Sequence, residues 1–173
     1  MFGLIASSIS GNLSSNFDSI QTVTVGAGGS SSISFTSIPS IYKHLQIRST
    51  TLTNAGGINI RFNSDTGSNY TYHQLYCDGS TVMANSGTAQ TSGFIGYSNI
   101  AGSNPTVGVC DILDYQNANK YKTHRSLSGT DANGSGTITF FSGLWLNTAA
   151  ITSINLIGTF AQYSSFALYG IKG

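Results

Sequence analysis

The chain has 173 residues, of which 39 % are hydrophobic and only 8 % charged, and its formal net charge is +1. That length supports one domain with a real core. Nine Tyr and nine Phe exclude a disordered chain, and the near-neutral balance leaves no electrostatic footprint for nucleic acid or an anionic membrane.

All six acidic residues are Asp and only four residues are Lys, so exposed helix lacks its usual propensity and its i,i+4 pairs. Strands and turns are predicted instead. The opening "MFGLIASSIS" has an apolar run of five with no preceding basic residue, which predicts neither a signal peptide nor a membrane span. Residues 1–18 read as an N-terminal arm or strand, and 19–173 as a single domain.

From there, strand signals recur in "SIQTVTV", "SISFTSI", "HLQIRST", "GINIRFN", "YTYHQLY", "SGFIGYS", "TVGVCDILDY", "KYKTHRSLSG", "GTITFFSGLWL", "TSINLIG" and "SFALYGI". Turn residues separate many of them: "GAGGSS", "NAGG", "SDTGSN", "AGSNP" and "DANGSG". About ten short strands and no helix predict an antiparallel β-sandwich. A jelly roll is the expected form, because the Cys and Trp spacing of an immunoglobulin domain is missing. The period of two places Ile58, Ile60, Phe62, Ile138, Phe140, Ile154, Leu156, Phe166 and Leu168 inward.

The candidate chemistry is sparse. In "FNSDTGSNYTYH" (Phe62 to His73), Asn63, Asp65 and Asn69 could supply oxygen to a calcium ion, but carboxylates are too few for a tight site, and the stretch reads as a turn between two strands. "DANGSG" matches the first half of an EF-hand loop at Asp131, Asn133, Ser135 and Gly136. Position twelve is Ser142, where a bidentate Glu is needed, so this too reads as a hairpin turn.

His44, His73 and His124 have no metal-ligand spacing. Asp111 and Asp114 sit three apart on a strand and should face opposite sides, which does not suit paired acid and base catalysis. "GAGGS" (Gly26 to Ser30) lacks the Lys of a phosphate loop. Trp145 reads as core rather than as a sugar-stacking platform. Cys77 and Cys110 read as buried free thiols, with a disulfide between them as the alternative. Asn12, Asn69 and Asn133 are sequons of the kind a Ser- and Thr-rich chain contains by chance. No enzyme, cofactor or metal is expected.

The order of "VGAGGSSSISFTSIPSIYKHLQIR" (Val25 to Arg48), "IRFNSDTGSNYTYHQLYCDG" (Ile60 to Gly79), "GLWLNTAAITSINL" (Gly143 to Leu156) and "SSFALYGIK" (Ser165 to Lys172) resembles a family of tailed-phage virion structural proteins, small all-β modules of capsid or tail. The resemblance implies a capsid decoration, or cement, protein, made in the host cytoplasm and carried on the outer surface of the virion. It further implies a homotrimer that binds the major capsid protein, without nucleic acid or membrane as partners. A tail-fibre or receptor-binding module is the alternative. The chain departs from the family in the inserted "SSISGNLSSNFD" (Ser7 to Asp18), and the apolar Phe2, Leu4, Ile5 and Ile9 are the expected partner contacts.

Overall fold

The computed structural model describes residues 16–52, 56–98 and 104–173. Among the described residues, twelve strands run in the order β1 (Phe17–Thr24), β2 (Ser30–Phe35), β3 (His44–Thr51), β4 (Gly56–Phe62), β5 (Tyr70–Cys77), β6 (Val82–Gln90), β7 (Gly93–Ser98), β8 (Thr106–Leu113), β9 (Lys122–Asp131), β10 (Gly136–Trp145), β11 (Ile154–Phe160) and β12 (Ser165–Ile171). They form an eight-stranded sheet, β1-β12-β3-β8-β9-β10-β5-β6, and a four-stranded sheet, β2-β11-β4-β7. Every paired strand is antiparallel. The two sheets pack as a sandwich, as the alternation and the lack of helix signals predict. This eight-plus-four division does not by itself make a jelly roll.

The core lies between the sheets. On the four-stranded side, Ile58, Ile60 and Phe62 of β4 and Ile154 and Leu156 of β11 are buried. Phe166 and Leu168 of β12, Leu45 and Ile47 of β3, and Ile112 of β8 meet them from the other sheet. Seven of the nine residues placed inward from the sequence are in this core.

Ile138 and Phe140 are the corrections. Each is 51 % exposed on the outside of β10, while Thr137, Thr139, Phe141, Gly143 and Trp145 point in. Trp145 fixes the phase. It is buried among Phe62, at 5.6 Å between ring centroids, and Tyr70, at 6.4 Å, so residues an even number of positions away share its inward face.

β9 also turns polar residues inward. Lys122, His124, Ser126, Ser128 and Thr130 are its buried residues. The sheets approach closely here: a Cβ on Gly96 of β7 would lie 3.1 Å from Ile58 and 3.6 Å from Ser128, leaving room only for small inner side chains. His124 fits because glycines face it, since a Cβ on Gly93 would stand 2.7 Å from its ring and one on Gly143 would overlap it.

The buried charge of Lys122 is satisfied by the backbone. Its ammonium donates to the carbonyls of Asn117 (2.6 Å), Lys120 (3.0 Å) and Thr148 (2.7 Å). One side chain thereby ties the β8–β9 connection to the β10–β11 connection. A buried ammonium is tolerated when its donors are taken up in this manner.

Candidate interaction surface

Most of the described residues singled out for chemistry have a structural task. Asp65 accepts from the backbone N–H of Gly67 (2.8 Å), from Asn69 Nδ2 (2.9 Å) and from the Trp145 indole (2.7 Å). Partial burial alone would raise its pKa, but these three donors outweigh that and hold the carboxyl below its usual range. Asn63 donates to the Ala150 carbonyl (2.8 Å) and accepts from the N–H groups of Thr152 (2.8 Å) and Ser153 (3.2 Å). The loop is a turn, tied by its side chains to the β10–β11 connection.

"DANGSG" is the β9–β10 hairpin. Asn133 and Gly134 take φ of 52° and 104°, the left-handed conformations such turns require, and Ala132 N–H bonds to the Ser135 carbonyl over 2.8 Å. In "GAGGS", Gly28 and Gly29 take φ of 92° and 74° in the β1–β2 turn.

The histidines are dispersed. His73 is exposed on β5. His44 accepts at Nδ1 from the Asp114 N–H (2.9 Å). His124 is fully buried, with Nε2 3.2 Å from the Phe94 carbonyl; desolvation pushes its pKa down to about 4, against a small upward pull from that carbonyl.

Asp111 accepts from Gln46 Nε2 (2.7 Å), while Asp114 pairs with Lys43 (3.4 Å) and with Lys120, so the two carboxylates do not share a site. Among the described residues, no group of three or more His, Cys, Asp or Glu comes together to hold a metal ion. Cys77 and Cys110 are both free, but only Cys110 is buried as expected, since Cys77 lies beside Ile138 on the outer face of the sheet and is partly exposed; burial pushes the Cys110 thiol up. Phe2, Leu4, Ile5, Ile9 and the sequon at Asn12 lie outside the described residues.

What the described surface does offer is the outer face of the eight-stranded sheet. Strand registers arrange its side chains in rows. One row runs Val109, Leu127, Phe140, Leu75, Ala84 from β8 to β6. The next runs Val107, Gly129, Ile138, Cys77, Val82 across the same five strands. Neither row carries a charge.

Val107, Leu127, Ile138, Phe140, Leu75 and Val82 are each between 42 % and 72 % exposed. Together they leave on the order of 500–600 Å² of apolar side chain in water, at the top of the range of about 300–600 Å² for the largest patch on a typical monomer. A hollow lined by Leu75, Val109, Leu127 and Phe140 lies on this face. Polar rows bound it, with Asp111, Arg125, Ser142, His73 and Ser86 on one side and Asp131 with Gly136 on the other.

Reading the sequence for alternation alone missed this face, because it assigned Ile138 and Phe140 to the interior. The signal was present in the adjacent "FF" of β10: of two neighbouring Phe on a strand, only one can point in.

Fold and surface together define a two-sheet antiparallel β-sandwich bearing an uncharged apolar sheet face. No protein-family model, curated protein or solved structure matches the chain.

Proposed function

We propose that this chain is a structural protein of a tailed-phage virion, a capsid decoration protein that binds the major capsid lattice from outside and stabilises the head. The observation that carries this reading is the apolar outer face of the eight-stranded sheet. Its size suits association with protein, and the polar groups that could have served chemistry are used to hold turns and connections in place. The order of segments that resembles tailed-phage virion proteins points to the same reading. Contact with the lattice is assigned to Phe2, Leu4, Ile5 and Ile9 of the N-terminal segment, a short uncharged stretch whose burial would compensate its ordering.

The test is to add the purified protein to phage heads that lack it, then measure copies bound per head and the temperature at which the heads release DNA. Binding at the scale of the lattice with a raised release temperature is expected. No binding to heads, with binding instead at a few positions on tails, would sink the capsid assignment and favour a tail module.

A further inference from the structure

Matching positions of the two apolar rows set a large side chain against a small one at Leu127 with Gly129 and at Leu75 with Cys77. We propose that two copies of this chain pair face to face through the outer surface of the eight-stranded sheet, about a two-fold axis running across the strands between the Leu127 row and the Gly129 row. The proposal rests on the reading of the chain as an assembly subunit, puts a two-fold pair in place of the homotrimer that the resemblance implies, and adds which face joins the copies.

Under that rotation each strand lies over its own counterpart running in the opposite direction. The Leu127 row of one copy then meets the Gly129 row of the other. Leu127 stands over Gly129 of the second copy, Leu75 over Cys77, Phe140 over Ile138 and Ala84 over Val82. Gly129 lies in a hollow lined by Val107, Leu127, Ile138 and Phe140, where a Cβ would make only ordinary contacts, 3.4 Å from the Thr137 carbonyl oxygen and 3.9 Å from the Ile138 side chain. Because the pairing is isologous, each hollow and each projection is used twice.

Charge selects the same arrangement. Arg125 and Asp131 lie on the outer face of β9, one on either side of the apolar rows, each three positions from Ser128. The antiparallel two-fold brings Arg125 of each copy toward Asp131 of the other at both ends of the patch. A parallel stacking would set Arg on Arg and Asp on Asp.

The area also fits. Face-to-face sheets pack about 10 Å apart and within about 30° of alignment. The exposed apolar surface described above, widened by this polar rim, approaches the ~800 Å² per partner of a standard stable interface. The two rows would form its dry centre and the rim its wet edge.

Sedimentation equilibrium of the full chain at micromolar concentration tests the proposal, and it requires no capsid. A dimer is expected. Phe140→Asp, at an exposed position, should give a monomer with unchanged circular dichroism. Gly129→Leu should also give a monomer by filling the hollow, and the double variant Leu127→Ala with Gly129→Leu should restore the dimer by exchanging projection and hollow. As a second readout that leaves the apolar rows intact, Arg125→Asp should weaken the pair and Arg125→Asp with Asp131→Arg should recover it.

A wild-type monomer or trimer overturns the proposal. So does a dimer indifferent to Phe140→Asp and Gly129→Leu, or a monomer whose capsid binding is lost on Phe140→Asp, which would make the capsid the occupant of this face. Failure to bind heads while the dimer persists would remove the virion reading alone.

Discussion

The indole N–H of Trp145 donates to the Asp65 carboxylate across 2.7 Å, joining the last residue of β10 to the turn between β4 and β5. Asp65→Ala leaves that buried donor unpaired and also frees Gly67 and Asn69. The expected cost is about 2–4 kcal/mol in urea unfolding, with Asp65→Asn milder because one acceptor survives. Since the folded-state carboxyl is held below its ordinary range, its contribution is complete above the unfolded value and is lost as pH falls through the folded one. A calcium ion would have to displace these donors, so neither EDTA nor calcium should move the melting temperature. A calcium-dependent rise would show that the loop is a cation site.

His124 sets the acid limit. Its folded pKa of about 4 lies below the unfolded value of 6.5, so the unfolded chain takes the proton first as pH falls. Its contribution is therefore complete above about pH 6.5 and declines toward pH 4, to a total on the order of 3 kcal/mol. Melting temperatures measured from pH 7 to 4.5 should fall in the wild type and fall less steeply in His124→Gln. Equal slopes in the two proteins would count against this assignment.

Phe62 and Phe140 separate the inside of the sandwich from the outside. Phe62 is fully buried, and Phe62→Ala should cost about 3–5 kcal/mol. Phe140→Ala should cost under about 1 kcal/mol in the isolated subunit, because half the ring is already in water. Denaturant midpoints of the two variants at a protein concentration too low for self-association decide between them. Similar losses at both positions would put Phe140 in the core after all.

The thiols should differ in rate. Cys110 is buried with its pKa raised, whereas Cys77 is partly exposed on the outer face. At a protein concentration too low for self-association, a thiol-specific reagent should modify Cys77 in the native subunit and Cys110 only on unfolding. Rapid modification of Cys110 at neutral pH would contradict the burial.

Where apolar residues face a core on one side and water on the other, the sequence is transparent. Ile58, Ile60 and Phe62 on β4 and Phe166 and Leu168 on β12 show their inward face directly. The strand "VMANSGTAQ" escaped notice because β6 is an edge strand, nearly all of it exposed, and without a buried face no alternation is imposed. β10 misleads for the opposite reason. Near β7 its inner Thr137 and Thr139 are small and polar while Ile138 and Phe140 outside are apolar, so periodicity finds the strand and picks the wrong side. The tasks of Lys122 and Asn63 were hidden altogether, since their partners are backbone groups, which no side-chain pattern reveals, and Thr148, Ala150, Thr152 and Ser153 among them lie in a distant connection.

β1 pairs along its length with β12, Phe17 opposite Ile171 and Thr24 opposite Ser165. During synthesis, residues 17–24 must therefore wait as an unpaired, β-prone strand until residues 165–171 have left the ribosome. Until then β3, the next strand in the sheet, has an open edge as well. At that stage a neighbouring nascent chain could offer its own copy of β12 to either edge. Exchange of terminal strands between chains is thus the misassembly to which this topology is most exposed during translation, and β1, with its low apolar content, is poorly suited to hold a wrong partner for long.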